Sequence, residues 1–325
     1  MRLPREGRLD NLAHSLVGWA LGEAGLKRKT GLGVATLIVA ANLPDIDVLG
    51  MLVGENLAFR RGITHGPLAL LVMPPLLAAA MQAFDRWQAK RGTRPKDRPP
   101  VRFGWLFALA FIGVLSHPAL DYLNVYGVRF LMPFSDRWFY GDTLFIIDVW
   151  LWLGLALGIG LSRWRQRHAK ASPEAPALVS LVAVAVYIGA MGAGSVAAER
   201  TALEAVRKQG YGTPIEVVAS PPPLNPFARQ MFYDLGDQYG YGAVTFAPTR
   251  TVSIDAPFST NMDDPAIAAA AARNEAAADY LYWSRLPFAE VADVAGGKRV
   301  ALMDARFARP PSLKQFRVET LVPPR

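Results

Sequence analysis

With 325 residues, 52% of them hydrophobic, and a formal charge of +8, the chain is long enough for two domains and leans toward a membrane protein. It has no cysteine, which excludes disulfides, thiolate metal sites and cysteine nucleophiles. The excess charge lies in three basic stretches beside apolar runs, "KRK" (27–29), "RWQAKRGTRPKDRPPVR" (86–102) and "RWRQRHAK" (163–170); this reads as membrane topology, and no nucleic acid is expected as a partner.

The first 55 residues hold two short apolar stretches, "LDNLAHSLVGWALGEAGL" and "GLGVATLIVAANL", joined by "KRKTG". Each is short for a full span, and together they read as a helical hairpin. Glu23 interrupts the only apolar core that a cleavable leader would need. Segments 65–84, 103–123, 144–162 and 177–198 then approach or reach the roughly 20 residues that cross a bilayer. Placing the three basic stretches in the cytoplasm puts 14 Lys and Arg on that side against seven in 1–10, 44–64 and 118–143. The asymmetry predicts a multi-pass protein of the cell's inner membrane whose C-terminal domain lies on the outer side.

That orientation brings a set of ionisable residues to one membrane face. His14 begins the first helix, "NLPDID" ends the second, and "THGP" opens the third; His117 and Asp121 of "HPALD" close the fourth, and Asp142 and Asp148 open the fifth. Three of the four histidines are among them, while His168 falls in a basic loop. Ionisable groups at the edge of hydrocarbon are expensive and usually line a functional cavity.

The spacing within each stretch has its own chemistry. Asp45 and Asp47 can converge in a turn after Pro44, where two carboxylates repel unless a cation or shared proton relieves them. His117 and Asp121 share a helical face if the helix continues, but Pro118 disfavours helical dihedrals at His117, so the pair can equally straddle a break. His65 heads a helix with Arg60 and Arg61 just upstream, a pair suited to a phosphate or to lipid headgroups. Imidazoles with carboxylates suit zinc, and also manganese or iron. No GxSxG and no glycine-rich phosphate loop competes with metal chemistry as the means of hydrolysis.

The succession "NLAHSLVGWALG", "NLPDIDVLG", "RRGITHGPL", "LSHPALDYLNVYGVRFLMPFSDRWFYGD" and "FIIDVWLWL", over roughly residues 10–160, resembles the YdjM-like family of membrane-bound, predicted metal-dependent hydrolases. That family is grouped at fold level with zinc-dependent phospholipase C and the zinc single-strand nucleases. The resemblance implies His14, an Asp of the "PDID" turn, His65, His117 and Asp121 as metal ligands. The His/His/Glu cluster of the soluble relatives has no counterpart here, so one or two ions are expected in place of three. Arg60 stands where many members carry His. The aromatic tract 126–142 reads either as a loop roofing the cavity, with Arg129 and Arg137 as candidate anion contacts, or as an interfacial aromatic belt, and Asp148 is a candidate partner that orients a ligand histidine.

Past residue 198 the sequence mixes charges, prolines and short alternating runs. It predicts strands at "PIEVVA", "GAVTFAP", "RTVSID", "KRVALMDARF" and "QFRVETLV" and one helix at 264–284 capped by Asp263 or Asp264. The expected architecture is an all-α polytopic membrane helix bundle over 1–198, followed by a small α+β soluble domain over 199–325.

The expected activity is phosphoester hydrolysis on a phospholipid or lipid-linked phosphate. Asp45, Asp47, Arg60, Arg61 and Asp148 are the catalytic candidates, and His14, Asp45, Asp47, His65, His117 and Asp121 the metal candidates. The alternatives are a non-enzymatic transporter, which the one-sided clustering of polar groups disfavours, and a metal-binding scaffold whose C-terminal domain recruits a protein.

Overall fold

The computed structural model describes residues 6–53, 60–308 and 316–324. Arg2 and Arg5, used in the charge comparison, and Gln315, at the head of the last predicted strand, lie outside the described residues. The described residues divide into two compact units. One comprises residues up to Val48 and Arg61–Gly192; the other runs from Ala193 onward and takes in residues 49–53 and Arg60. The predicted boundary at 198 lies slightly later in the chain.

The first unit is helical. Helix α1 spans Glu6–Glu23 and α2 Gly33–Asn42; a 3₁₀ stretch Leu43–Val53 follows. A short 3₁₀ turn Ile63–His65 leads into α3, Pro67–Lys90; α4 is Phe103–Tyr122, α5 Val149–Arg167 and α6 Ala175–Lys208, whose residues from Ala193 onward belong to the second unit. The predicted hairpin in the first 55 residues is therefore α1 and α2. Its first helix starts well before His14, which sits near mid-helix.

Helices α3, α4 and α6 are long and apolar enough to cross a membrane, with mean hydropathies of 1.7, 1.7 and 2.0. Their outward faces carry exposed Leu71, Leu76, Val179 and Val186, as expected of surfaces bathed in lipid rather than water. The predicted span 144–162 fares differently. Residues 144–148 are irregular, and α5 does not join the candidate spans. Its uncharged run, Val149–Ser162, amounts to only about 21 Å of helix against a core of about 30 Å.

Small residues set the packing of α2. A Cβ on Gly18 of α1 would meet the Leu37 carbonyl oxygen at 2.7 Å, and one on Gly113 of α4 would collide with Ala40. Helix α2 is thus held tightly between α1 and α4, as small residues permit where backbones approach closely. Ala40, Leu77, Ala110 and Val114 form one apolar cluster of the bundle, while Ala20, Leu151, Leu155, Ile159 and Val184 form another. Helix α4 runs unbroken through Pro118, which resolves the local geometry in favour of a continuous face for His117 and Asp121.

The second unit is sheet-rich. Strands β1 (Glu216–Ser220), β2 (Ala228–Asp234), β3 (Gln238–Thr245) and β4 (Thr251–Ile254) form an antiparallel sheet in that order, with β5 (Phe258–Ser259) also on β3. A second antiparallel sheet holds β6 (Pro287–Val294), β7 (Gly297–Asp304) and β8 (Arg317–Val322). The predicted strands correspond to β1, β3, β4, β7 and β8, whereas β2, β5 and β6 were not anticipated. In β2 the inward row opens with the buried Arg229, ahead of Met231 and Tyr233, and that charge masks the alternation.

The single predicted helix is two, α7 (Pro265–Arg273) and α8 (Glu275–Trp283). Asp264 caps the first through the Ala266 N–H at 2.8 Å, and Asn274, with extended backbone, caps the second through the Ala276 N–H at 3.1 Å.

Candidate metal centre

Four separate stretches of the first unit bring their ionisable side chains together. His14 comes from α1, Asp45 and Asp47 from the 3₁₀ stretch after α2, Arg61 and His65 from the segment before α3, and His117 and Asp121 from α4. All seven side chains are buried.

The histidines form the centre. His117 stacks on His14 with ring centroids 3.8 Å apart, and its Nδ1 lies 2.7 Å from the Ala41 carbonyl oxygen. A carbonyl only accepts, so Nδ1 carries the proton and donates, which leaves Nε2 with a lone pair in the neutral ring. The tight α2–α4 packing places that carbonyl. Nε2 of His117 lies 3.2 Å from Nε2 of His65 and 3.4 Å from Asp121 Oδ2; His65 Nε2 is itself 3.1 Å from that oxygen. Asp45 Oδ1 stands 3.7 Å from His117 Nε2, and His14 Nε2 3.5 Å from Asp121 Oδ1.

These separations fit a metal ion. Ligand atoms about 2.1 Å from a tetrahedral ion are about 3.4 Å apart, and the His65, His117 and Asp121 atoms are spaced at 3.1 to 3.4 Å. Among the described residues two overlapping donor groups, His65/His117/Asp121 and His14/Asp45/His117, each have ligand atoms within 4.8 Å of one another.

Arg61 supplies the positive charge already resident there. Its Nη2 is 3.1 Å from Asp121 Oδ1, and its Nη1 donates to Asn124 Oδ1 at 3.1 Å and to the Gly127 carbonyl at 3.3 Å. The guanidinium lies over the Tyr126 ring at 4.7 Å. The Arg61 backbone adopts φ 53°, a left-handed conformation unusual for a non-glycine residue, and its N–H donates to Asp47 Oδ2 at 2.8 Å. That same oxygen is 3.8 Å from Nδ1 of His65, whose nearer neighbour is the Thr64 hydroxyl at 2.9 Å.

The aromatic tract folds back beside the site. Val128 and Phe139 exchange backbone hydrogen bonds of 3.0 and 2.9 Å, and the Arg129 N–H donates to the Arg61 carbonyl at 3.0 Å. A Cβ on Gly66 would collide with the Met132 carbonyl, which accounts for glycine in "THGP". The candidate anion contacts both lie over rings: Arg129 over Trp138 at 4.9 Å and Arg137 over Phe139 at 5.2 Å.

The other candidates sit differently. Asp148 caps α5, accepting from the Leu151 N–H at 2.9 Å, and its second oxygen accepts from the Tyr187 hydroxyl at 2.9 Å. Half-buried Arg60 groups with the second unit. His168 caps the C-terminus of α5 in the open. Asn124, Tyr126 and the Ala41 carbonyl were missed by sequence reasoning. The only available signal was the position of "LNVYG" one turn beyond Asp121.

The family model described as YdjM inner membrane protein matches residues 9–197. No curated protein and no solved structure matches the chain. With more than half of its length covered, including every residue of the histidine and aspartate cluster, the chain belongs to the YdjM inner membrane protein family.

Proposed function

Starting from membership of that family, we propose that this protein is a membrane-bound, metal-dependent hydrolase of phosphoesters, with a phospholipid or lipid-linked phosphate as substrate. The observation that carries the reading is the mutual spacing of His65 Nε2, His117 Nε2 and Asp121 Oδ2 at 3.1 to 3.4 Å. In this reading the protein is polytopic and the cluster faces the outer side of the membrane, as the distribution of Lys and Arg favours.

His65, His117 and Asp121 hold the ion, with His14 and Asp45 as further donors. His117 offers a single lone pair, because its Nδ1 is committed to Ala41. Since His117 belongs to both donor groups, one ion is the favoured occupancy. Zinc suits the mixed nitrogen and oxygen set, as would manganese or iron. A divalent ion supplies Lewis acidity, polarising a phosphoryl oxygen and lowering the pKa of water to about 7.

The protein's own groups do the remaining work. Arg61 presents a planar cation, suited to steadying phosphoryl charge. Asp47 fixes the Arg61 backbone and stands beside the outer nitrogen of His65. Asp45, at the rim of the cluster, is the candidate to accept a proton.

The test is metal content of detergent-purified protein together with phosphate release from phospholipid and lipid-linked phosphate panels. Stoichiometric metal in wild type, lost in His65→Ala and His117→Ala along with phosphate release, is the expected result. Equal metal in all three proteins overturns the ligand assignment, and a metal-loaded protein inert toward every phosphoester overturns the activity.

A further inference from the structure

At the basic end of α4, remote in sequence from the cluster's His117, an open groove of about 330 Å³ is lined by Arg102, Gly104, Trp105 and Ala108. The turn between α1 and α2 is pinned to this end: the Arg102 N–H donates to Thr30 Oγ1 at 2.9 Å, and the Gly31 N–H to the Pro100 carbonyl at 3.2 Å. The pinning sets Lys29 Nζ over the Trp105 ring at 5.2 Å. Two exposed cations, Lys29 and Arg102, therefore flank one exposed indole.

Further along the helix face that carries Gly104, Trp105 and Ala108, Phe111, Ile112 and Leu115 are each exposed by 37 to 44%. With Trp105 and Ala108 they make an apolar strip of about 15 Å, the half-thickness of a hydrocarbon core of about 30 Å. Gly104 sits beside the groove, where an added Cβ would meet nothing within 4 Å. Packing does not demand a glycine there, and glycine near a helix start forfeits helix propensity. Its lack of a side chain leaves the groove open.

The geometry points to a binding site for one anionic phospholipid, its phosphate between Lys29 and Arg102 and an acyl chain along the strip from Trp105 to Leu115. Charge complementarity selects an anionic headgroup. The unbroken apolar stripe, one leaflet deep, selects a lipid over a free phosphate. Trp105 occupies the interfacial level favoured by indoles. This site is independent of the metal cluster and of the proposed activity.

The test is native mass spectrometry of the full-length protein in detergent, titrated with phosphatidylglycerol, phosphatidylcholine or inorganic phosphate. Each cation near a membrane surface contributes roughly a fivefold preference for an anionic lipid. Wild type is expected to retain one phosphatidylglycerol with about 25-fold preference over phosphatidylcholine. Lys29→Ala with Arg102→Ala removes the preference. Gly104→Leu, whose Cβ meets nothing within 4 Å and whose longer side chain reaches into the groove, weakens retention of either lipid without shifting the unfolding temperature. Equal retention of the two lipids by wild type, an unchanged preference in the double variant, or displacement of the lipid by inorganic phosphate overturns the proposal.

Discussion

The Nε2 atoms of His65 and His117 lie 3.2 Å apart, although 52 positions separate the residues in the chain. Two imidazole nitrogens at that distance either share a proton or share a cation, and the Asp121 oxygen 3.1 and 3.4 Å from them is a third donor at the same point. His117 belongs to both donor groups, whereas His14 belongs to one. His117→Ala is therefore expected to abolish stoichiometric metal binding. His14→Ala should weaken metal affinity by about 10- to 100-fold, the range typical of a supporting partner. Zinc titration of the metal-free protein by calorimetry checks the order, and a stronger loss in His14→Ala would reverse the assignment.

The left-handed backbone of Arg61 yields a second prediction. A non-glycine residue at φ 53° stores roughly 1 to 3 kcal/mol, sustained by its surroundings. Arg61→Gly would release that strain but leave Asp121 buried without its guanidinium, a loss of about 3 to 5 kcal/mol in metal-free protein. Net destabilisation is expected, and added zinc should recover part of it by compensating the carboxylate. Thermal unfolding followed by tryptophan fluorescence, with and without zinc, reads both effects. A stabilised Arg61→Gly variant would show that the ion pair is not what sustains the strained turn.

What could be read in advance follows from how rare each signal is. Histidines and aspartates at the ends of apolar runs stand out because burying them is expensive, so His14, Asp45, Asp47, His65, His117 and Asp121 were legible one by one. Their gathering at one face and the His117–Asp121 pair were legible too, but which atoms meet was not, because that depends on where α2 lies between Gly18 and Gly113, and small residues leave no periodic trace of their partners. Asn124 and the Ala41 carbonyl were invisible for a related reason: one is an ordinary loop residue, and the other is backbone that any residue provides. The same logic explains the second unit, where regular strands were anticipated but β2, with a buried arginine in its inward row, was not.

In the second unit, Asp304 offers a pH-dependent test away from the membrane helices. It is fully buried and accepts from the Arg306 Nε at 2.9 Å and Nη2 at 2.7 Å and from the Ser284 hydroxyl at 2.5 Å. Burial by itself would raise its pKa, but the Arg306 charge and these hydrogen bonds outweigh burial and hold the carboxyl below its ordinary value. The folded pKa is depressed, so the stabilisation is fully present above the unfolded value of about 3.9 and is lost as pH falls through the folded value. Asp304→Asn should destabilise the protein by about 3 to 5 kcal/mol at pH 7, chiefly by leaving Arg306 buried without its counter-ion. The gap to wild type should narrow below about pH 4. Denaturant unfolding of the full chain at several pH values checks this, and a gap that stays constant into acid would remove the ion pair as its source.

The packing of α2 against α4 allows the metal site to be disturbed without touching a ligand. Gly113 lies one helical turn before His117, and an added Cβ there would collide with Ala40 while standing 3.0 Å from the Leu37 carbonyl. Overpacking of this kind typically destabilises by 1 to 3 kcal/mol, roughly the range expected for Gly113→Ala. Relief requires α2 to move away from α4, and α2 carries the Ala41 carbonyl that fixes the His117 tautomer through a 2.7 Å hydrogen bond. Metal affinity should therefore fall in Gly113→Ala even though every donor remains. In Gly104→Ala, at the open start of the same helix, added helix propensity should leave affinity unchanged. Zinc titration and unfolding temperature measured on both variants separate the effects. Intact affinity in a destabilised Gly113→Ala protein would mean that the ring of His117 is oriented by its neighbours in the cluster and not by α2.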